Sequence, residues 1–467
     1  MKDPAELTLT EVAGAIKRGK LSSVELTHWA IDRIPHWKAL NAFVRLEPEE
    51  ALNAAKTADR ALKRRGPLGA LHGVPLAHKD MYYYAGKPAA CGSKIREGWI
   101  APSTSTVITR LQQAGSFRLG ALHMAEFAFG PTGHNAHLGP AHNPWDLSRI
   151  TGGSSSGSGA AVAARLVHAA LGSDTGGSIR LPAHFCGITG LKTTSGRVSR
   201  ANALPLSFTL DTVGPLAQTA EDCGLIASII SGPDPLDPTT ASAPAWNAKA
   251  TKRPPKEIRI GVPANFYLDD LEQDVSKTFE EALGTFRRLG VKIVEIKLPD
   301  QNLLSAAALV VLQAEATSFH APWLRTRADQ YGPQIRNRLE NGAAYSALDY
   351  LEALRWRGPA LSAHLEAMGS IDVIVAPVSR AAAPTIASTD FGGAANAERA
   401  IQAITRLMRP VNYLGLPALV VPAGHSSDGL PIGVQLIGRP FADETVIGLG
   451  AAFQKVTDHH RRVPKLQ

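Results

Sequence analysis

The sequence predicts an α/β fold in which helices cover both faces of a β-sheet. Two observations predict it. Short apolar runs alternate with segments of helical period along most of the chain. Two of those runs, Ile371-Asp372-Val373-Ile374-Val375 and Ala418-Leu419-Val420-Val421, are apolar enough to be central strands buried on both sides. Strands separated by helices of this length are the pattern of layered α/β architecture.

Residues 1–65 read as an N-terminal helical segment packed on the core. Leu9 to Ile16 and Ser23 to Ile31 carry apolar residues at three- and four-residue spacing, and Ser22 or Ser23 fits a helix cap. Gly66-Pro67-Leu68-Gly69 breaks that pattern. Residues 66–230 form the next unit, with a strand at Val74–Ala77, a helix near Ser105–Gln113 and a strand at Ser116–Leu119. The small apolar stretch Ala160–Leu171, which contains Arg165 and His168, reads as a buried helix. Residues 231–256 are rich in Pro, Ala, Thr and Asp and read as a long exposed connection. Residues 257–467 complete the sheet: Ile258–Val262 is a strand, Asp274–Leu289 a helix and Val291–Ile296 a strand.

The bulk numbers bound the function. At 467 residues the chain exceeds the ~250–300 residues at which single cores stop growing, so fused lobes are expected. The net charge is +8, but the basic residues do not concentrate in one stripe, so no nucleic-acid role is expected. Three widely spaced cysteines, Cys91, Cys186 and Cys223, suit neither a disulfide framework nor a zinc site and point to a reducing, cytoplasmic setting. The N-terminus lacks the apolar core of a signal peptide, and no uncharged apolar run reaches membrane-spanning length, so no membrane association is expected. His134, His137 and His142 cluster without a Cys or acidic ligand among them. They read as hydrogen-bonding loop residues, and no metal is expected.

Residues 151–180 carry the chemistry. Thr151-Gly152-Gly153-Ser154-Ser155-Ser156-Gly157-Ser158-Gly159 and Gly172-Ser173-Asp174-Thr175-Gly176-Gly177-Ser178-Ile179-Arg180 are two Gly/Ser loops flanking one apolar stretch. A flexible linker would not enclose such a stretch. No Gly-Lys-Ser or Gly-Lys-Thr follows, which removes a P-loop. Gly153-Ser154-Ser155-Ser156-Gly157 matches a nucleophile elbow centred on Ser155, but no strand pattern precedes it. Ser178 is the better nucleophile. It follows Asp174-Thr175-Gly176-Gly177, whose backbone N–H groups lie open to a developing oxyanion. His184 nearby reads as a packed side chain beside Phe185.

These loops, with Gly73-Val74-Pro75-Leu76-Ala77-His78-Lys79-Asp80, Asn143-Pro144-Trp145-Asp146, Pro182 to Gly187, Gly190-Leu191-Lys192 and Asp428 to Gly438, resemble the amidase signature family in the right order over nearly the whole chain. The resemblance implies a mixed central sheet covered by helices and a Ser–Ser–Lys triad. Lys79 matches the family lysine, Ser154 the bridging serine held by a cis peptide bond, and Ser178 the nucleophile. Thr175, Gly176, Gly177 and Ser178 match the oxyanion-hole positions. Phe127, Ala128, Phe129 and Gly153 match residues lining the substrate. Lys79 follows an apolar run, which puts it at a strand end near the core.

Two departures from the family pattern, Ser156 with Gly159 and the Met81-Tyr82-Tyr83-Tyr84 run, bear on the pocket. The three tyrosines with Phe127 and Phe129 suggest an aromatic wall. Arg355 and Arg357 lie near the position where amidotransferase subunits hold a substrate carboxylate, but read as a surface helix face. The expected activity is hydrolysis of carboxylic amides through an acyl-enzyme, extending to carbamates, esters and aryl amides, without cofactor. The alternative is the glutaminase (A) subunit of an aminoacyl-tRNA amidotransferase. A catalytically silent scaffold is a third reading, opposed by the intact triad. The leading reading implies a small-molecule amide or carbamate, a chain able to form a homodimer, and no obligatory partner subunit.

Overall fold

The apolar run at Ala418–Val421 lies in a strand that forms a hairpin with the strand after it. Ala418–His425 and Pro431–Gly438 form an antiparallel ladder, with Ala418 opposite Ile437 and Val421 opposite Val434. Nearly every residue of both strands is buried, which marks a sheet covered on two faces. The computed structural model describes residues 3–390 and 397–465.

The hairpin sits at the centre of an eight-stranded sheet. On one side Val373–Pro377 pairs antiparallel to Pro431–Gly438, then Arg259–Pro263 and Lys292–Ile296 follow in parallel. On the other side Thr189–Lys192, Thr212–Ala217 and Ala169–Asp174 follow in antiparallel order. The sheet is therefore mixed, and it takes strands from both sides of the 231–256 connection. A smaller sheet joins Phe43–Leu46, Phe117–Leu122 and Pro75–Lys79, the last two in parallel with Lys79 opposite Leu122.

Most of the expected elements form where the periodicity puts them. Ser22 caps the helix Ser23–Arg33 through a reciprocal box with Glu25. Two regions differ. The Ala160–Leu171 stretch is not one helix. The helix Ser156–Ala163 ends, Arg165 turns with a φ of 57°, and Ala169–Asp174 is a strand. An alanine-rich run has no period to separate these states, and the strand exists because Thr212–Ala217 pairs with it.

The 231–256 connection is pinned rather than wholly exposed: Asp234, Asp237 and Thr240 are buried, and Asp234 accepts from Ser199. The longest helix among the described residues is the 27-residue Gln301–Arg327. Among the described residues it is the one helix long and apolar enough to cross a membrane, and half of its most apolar window is buried. It packs on the helices Pro333–Gly342, Ala347–Met368 and Arg409–Tyr413. It also carries the buried Glu315, which accepts hydrogen bonds from Ser207, Thr209 and Tyr350.

One glycine fixes how close two strands run. A Cβ on Gly214 would sit 1.9 Å from the Leu191 carbonyl oxygen. Gly214→Val is expected to destabilise the protein by more than about 3 kcal/mol, read as a lower urea midpoint or loss of folded protein.

Candidate active site

Lys79 is the last residue of the strand Pro75–Lys79, and its side chain points into the protein with 1% exposure. Its Nζ donates to Ser154 Oγ at 2.6 Å and to Ser173 Oγ at 2.8 Å. Burial pulls the ammonium down to about 7, against the opposing pull of Asp211 and Asp174. Lys192 is also buried and also lowered to about 7 by desolvation. Its Nζ, however, donates to the carbonyls of Thr193 and Leu416. Burial alone does not make a lysine a base; Lys79 differs in having two hydroxyls as neighbours.

Ser154 is fully buried and follows a cis Gly153–Ser154 peptide. Gly153 N–H donates to Pro131 O at 2.6 Å, and Ala125 N–H donates to Ser154 O at 3.1 Å. A Cβ at Gly153 would lie 2.4 Å from Gly130 O, so only glycine lets the two loops meet. Ser173, on the strand Ala169–Asp174, is a neighbour of Lys79 that the sequence reading missed. The signal is present, since Ser173 lies inside the Gly172–Arg180 block, but that block reads as a Gly/Ser loop, and the direction of Ser173 is set by the strand Ala169–Asp174.

The Ser178 loop is held by Asp174. The Asp174 carboxylate accepts from the backbone N–H groups of Gly177, Ile179 and Arg180, from the Arg180 guanidinium and from Asn412 Nδ2. Asp174 and Arg180 are both fully buried. Burial would raise the Asp174 carboxyl, but the Arg180 charge and these hydrogen bonds outweigh it and hold it well below the usual carboxylate range. Because Gly177 N–H is spent on Asp174, it is not aimed at a substrate. Among the described residues, the N–H groups of Gly176 and Ser178 make no backbone or side-chain hydrogen bond. Thr175 Oγ1 donates to Asp211 at 2.5 Å. Ser155 N–H donates to Ser178 O at 3.4 Å, which ties the two serine loops side by side.

Ser178, 8% exposed, opens onto a narrow cavity of about 30 Å³ lined also by Ala128, Phe129, Thr175, Gly176, Arg338 and Arg409. Phe127 is not on this wall; its ring packs in the core against His320, Trp323 and Tyr331. The aromatic wall expected from the three tyrosines does not form. Tyr82 donates to Gly172 O, Tyr83 accepts from Arg96, and Tyr84 lies under Arg118. Arg357 donates to Thr209 O and does not line the cavity. Arg338 and Arg409, which do, carry no motif in the sequence and were missed.

Ser155 Oγ is turned to Ser173. His184 is packed, bonding Ala381 O and Gly433 N–H. His134, His137 and His142 bond separately to Thr389, Glu126 and Leu147 O, and among the described residues no cluster has metal-ligand geometry. The three cysteines are free and buried. Arg180→Met would leave the Asp174 charge buried without its cation. It is expected to cost about 3–5 kcal/mol in urea denaturation, and adding Asp174→Asn is expected to recover part of that loss.

A family model described as Amidase matches residues 25–447. The A subunit of the glutamyl-tRNA(Gln) amidotransferase of Thioalkalivibrio sulfidiphilus (strain HL-EbGR7) is 40% identical, covering 98% of this chain and 99% of its own. Among solved structures, one described as a vestigial protein complex that reveals the evolutionary origins of an s-triazine catabolic enzyme matches with a TM-score of 0.89 and 32% identity, over 99% of this chain and 100% of that one. The A subunit of the glutamyl-tRNA(Gln) amidotransferase of Thermotoga maritima matches with a TM-score of 0.82 and 31% identity, over 100% of this chain and 99% of that one. These names overturn the expectation of a chain with no obligatory partner and no nucleic acid, because the relatives are subunits by name and the enzyme they belong to is named for a tRNA. Composition is silent on this, because a subunit of a complex need not carry the basic surface itself. With a family match across most of its length and relatives this similar end to end, the chain belongs to the amidase signature family.

Proposed function

We propose that this chain is the amide-hydrolysing subunit of a tRNA-dependent amidotransferase, acting on the side-chain amide of glutamine in the cytoplasm. The observation that carries the hydrolytic part is the 2.6 Å contact between Lys79 Nζ and Ser154 Oγ, with the loop of Ser178 tied to Ser155 and opening onto a cavity. The names of relatives that align from end to end support the amidotransferase part.

In this reading Lys79 is close to half neutral near pH 7 and accepts a proton from Ser154. Ser154 takes the proton of Ser178 as the Ser178 oxygen attacks the amide carbon. The N–H groups of Gly176 and Ser178 hold the oxyanion, each worth roughly 10²–10³ in rate. The proton returns through Ser154 to the leaving nitrogen, ammonia departs, and water releases the acyl group from Ser178.

A second reading, hydrolysis of another small amide or a carbamate within a complex, is favoured by the higher TM-score of the structure tied to s-triazine catabolism. Assays with glutamine, propionamide and ethyl carbamate, with and without partner subunits, separate the two. Glutamine turnover that rises when partners are added is expected; turnover of the small amide or carbamate with glutamine refused would sink the amidotransferase reading.

Ser178→Ala is expected to abolish turnover and fluorophosphonate labelling together, and a wild-type chain that forms no adduct would indicate a silent scaffold. Lys79→Ala is expected to lower kcat/KM by roughly 10²–10⁴. Because the cation cannot accept a proton, wild-type kcat/KM is expected to rise with pH through about 7 and then level off. A flat profile between pH 5 and 9 would contradict Lys79 as the base.

A further inference from the structure

Asp211 is the last residue before the strand Thr212–Ala217, and the ladder sets Thr212 opposite Asp174. That register brings the Asp211 carboxylate to Thr175, the first residue of the turn that leads to Ser178. Thr175 Oγ1 donates to Asp211 Oδ1 at 2.5 Å. The backbone N–H groups of Leu206 and Ser207 donate to the same carboxylate at 2.8 Å and 3.1 Å. Thr175 and Leu206 both line the Ser178 cavity, whereas Asp211, 9% exposed, does not. It lines, with Ser173, a second pocket of about 250 Å³. One carboxylate thus ties together two parts of the cavity wall without facing what the cavity would hold.

The tie bears on the oxyanion. Asp174 holds the backbone of the loop from Gly177 onward. Before Gly177, the loop is anchored on its side-chain face by Thr175 Oγ1 on Asp211. A donor that stabilises an oxyanion has to be aimed before the charge develops, so the direction of Gly176 N–H depends on this anchor.

The charge of Asp211 has a second effect. The titratable groups that oppose the dehydration of Lys79 are Asp211, then Asp174, then Cys91. Asp211 in turn faces Arg200 and the buried Tyr82 phenol. Burial raises the Asp211 carboxyl, and the hydrogen bonds from Thr175, Leu206 and Ser207 oppose that rise. As an anion it favours the charged lysine.

We propose that Asp211 is a positioning residue of the amide-hydrolysing site, aiming the Thr175–Gly176 part of the oxyanion loop through the Thr175 hydroxyl and supplying the anion that Lys79 works against. This rests on Ser178 being the nucleophile served by Lys79, and it does not depend on which amide is cleaved.

Two substitutions separate the two effects. Asp211→Asn removes the charge and keeps an acceptor oxygen for Thr175, Leu206 and Ser207. Thr175→Val removes the hydroxyl and keeps the charge. Glu315 also grips the 206–211 loop, through Ser207 and Thr209, so the loop keeps its shape in both. The probe is the second-order rate of fluorophosphonate labelling of Ser178 in the full chain, followed against pH. Thr175→Val is expected to slow labelling roughly 10-fold, the worth of a hydrogen bond to a charged group, with the pH midpoint unmoved. Thr175→Ser is expected to recover most of that loss. Asp211→Asn is expected to move the midpoint down by about half a pH unit or more, since a lysine without that anion loses its proton more easily. A wild-type rate in Thr175→Val, or an unmoved midpoint in Asp211→Asn, would overturn the proposal.

Where Asp211→Asn does not fold, the Thr175 pair decides. A wild-type chain that forms no adduct would end the hydrolase reading. The Lys79 midpoint is then read by NMR of the chain carrying isotope-labelled lysine, with Lys79→Arg assigning the signal. A lower midpoint in Asp211→Asn would leave the hold of Asp211 on Lys79 standing, and an equal one would overturn it.

Discussion

The buried carboxylate of Asp174 is the constraint on which the site depends. Its two oxygens collect three backbone N–H groups of the Ser178 loop, the Arg180 guanidinium and the Asn412 amide. The loop therefore has its shape fixed by one charge. This arrangement sorts the amides of the loop. Gly177 faces inward to Asp174, with a φ of 117° and no room for a Cβ beside Met408, while Gly176 and Ser178 are left unspent. A loop so determined is preorganised before any substrate arrives, which is what stabilising a transient oxyanion requires.

The second constraint is the dehydration of Lys79. Its surroundings supply hydroxyls rather than a contacting carboxylate, so the amine loses hydration without gaining a full counter-charge. Asp211 and Asp174 act on it only at longer range, and Asp211 is itself occupied by Thr175 Oγ1 and by backbone N–H groups of Leu206 and Ser207. The balance leaves the amine near the middle of its titration at neutral pH. Lys192 reaches a similar value by burial but, among the described residues, its hydrogen bonds go to two carbonyls. Two lysines with similar proton affinity thus differ in the identity of their neighbours, hydroxyls for Lys79 and carbonyls for Lys192.

Legibility in the sequence followed the range of the interactions. Elements with a strong local period, such as the helix at 273–288 and the strands at 259–263 and 418–425, were visible because burial on one or both faces writes itself into the pattern. The strand Ala169–Asp174 was not, because its alanines suit either state and its partner lies about forty residues later. Lys79, Ser154 and Ser178 could be picked out by motif, and the structure brings Lys79 against Ser154. Ser173 could not, because its direction follows from the strand. Arg338 and Arg409 could not either, since their meeting beside Ser178 is a product of tertiary folding alone. The expectation of a self-sufficient chain is overturned by the names of its relatives, and a subunit's partners leave no periodic trace in its own sequence.

The anchoring of the Ser178 loop has a consequence for biosynthesis. Lys79, Ser154 and Ser178 all lie in the first 180 residues, yet Arg180 and Asp174 are completed by Asn412 and by Gln435, which is on the strand Pro431–Gly438. A nascent chain with all three side chains outside the ribosome still lacks the groups that lock the loop. In the proposed reading, hydrolytic competence thus arrives only near the close of translation, and a truncated product would carry Lys79, Ser154 and Ser178 without the framework that holds the Ser178 loop.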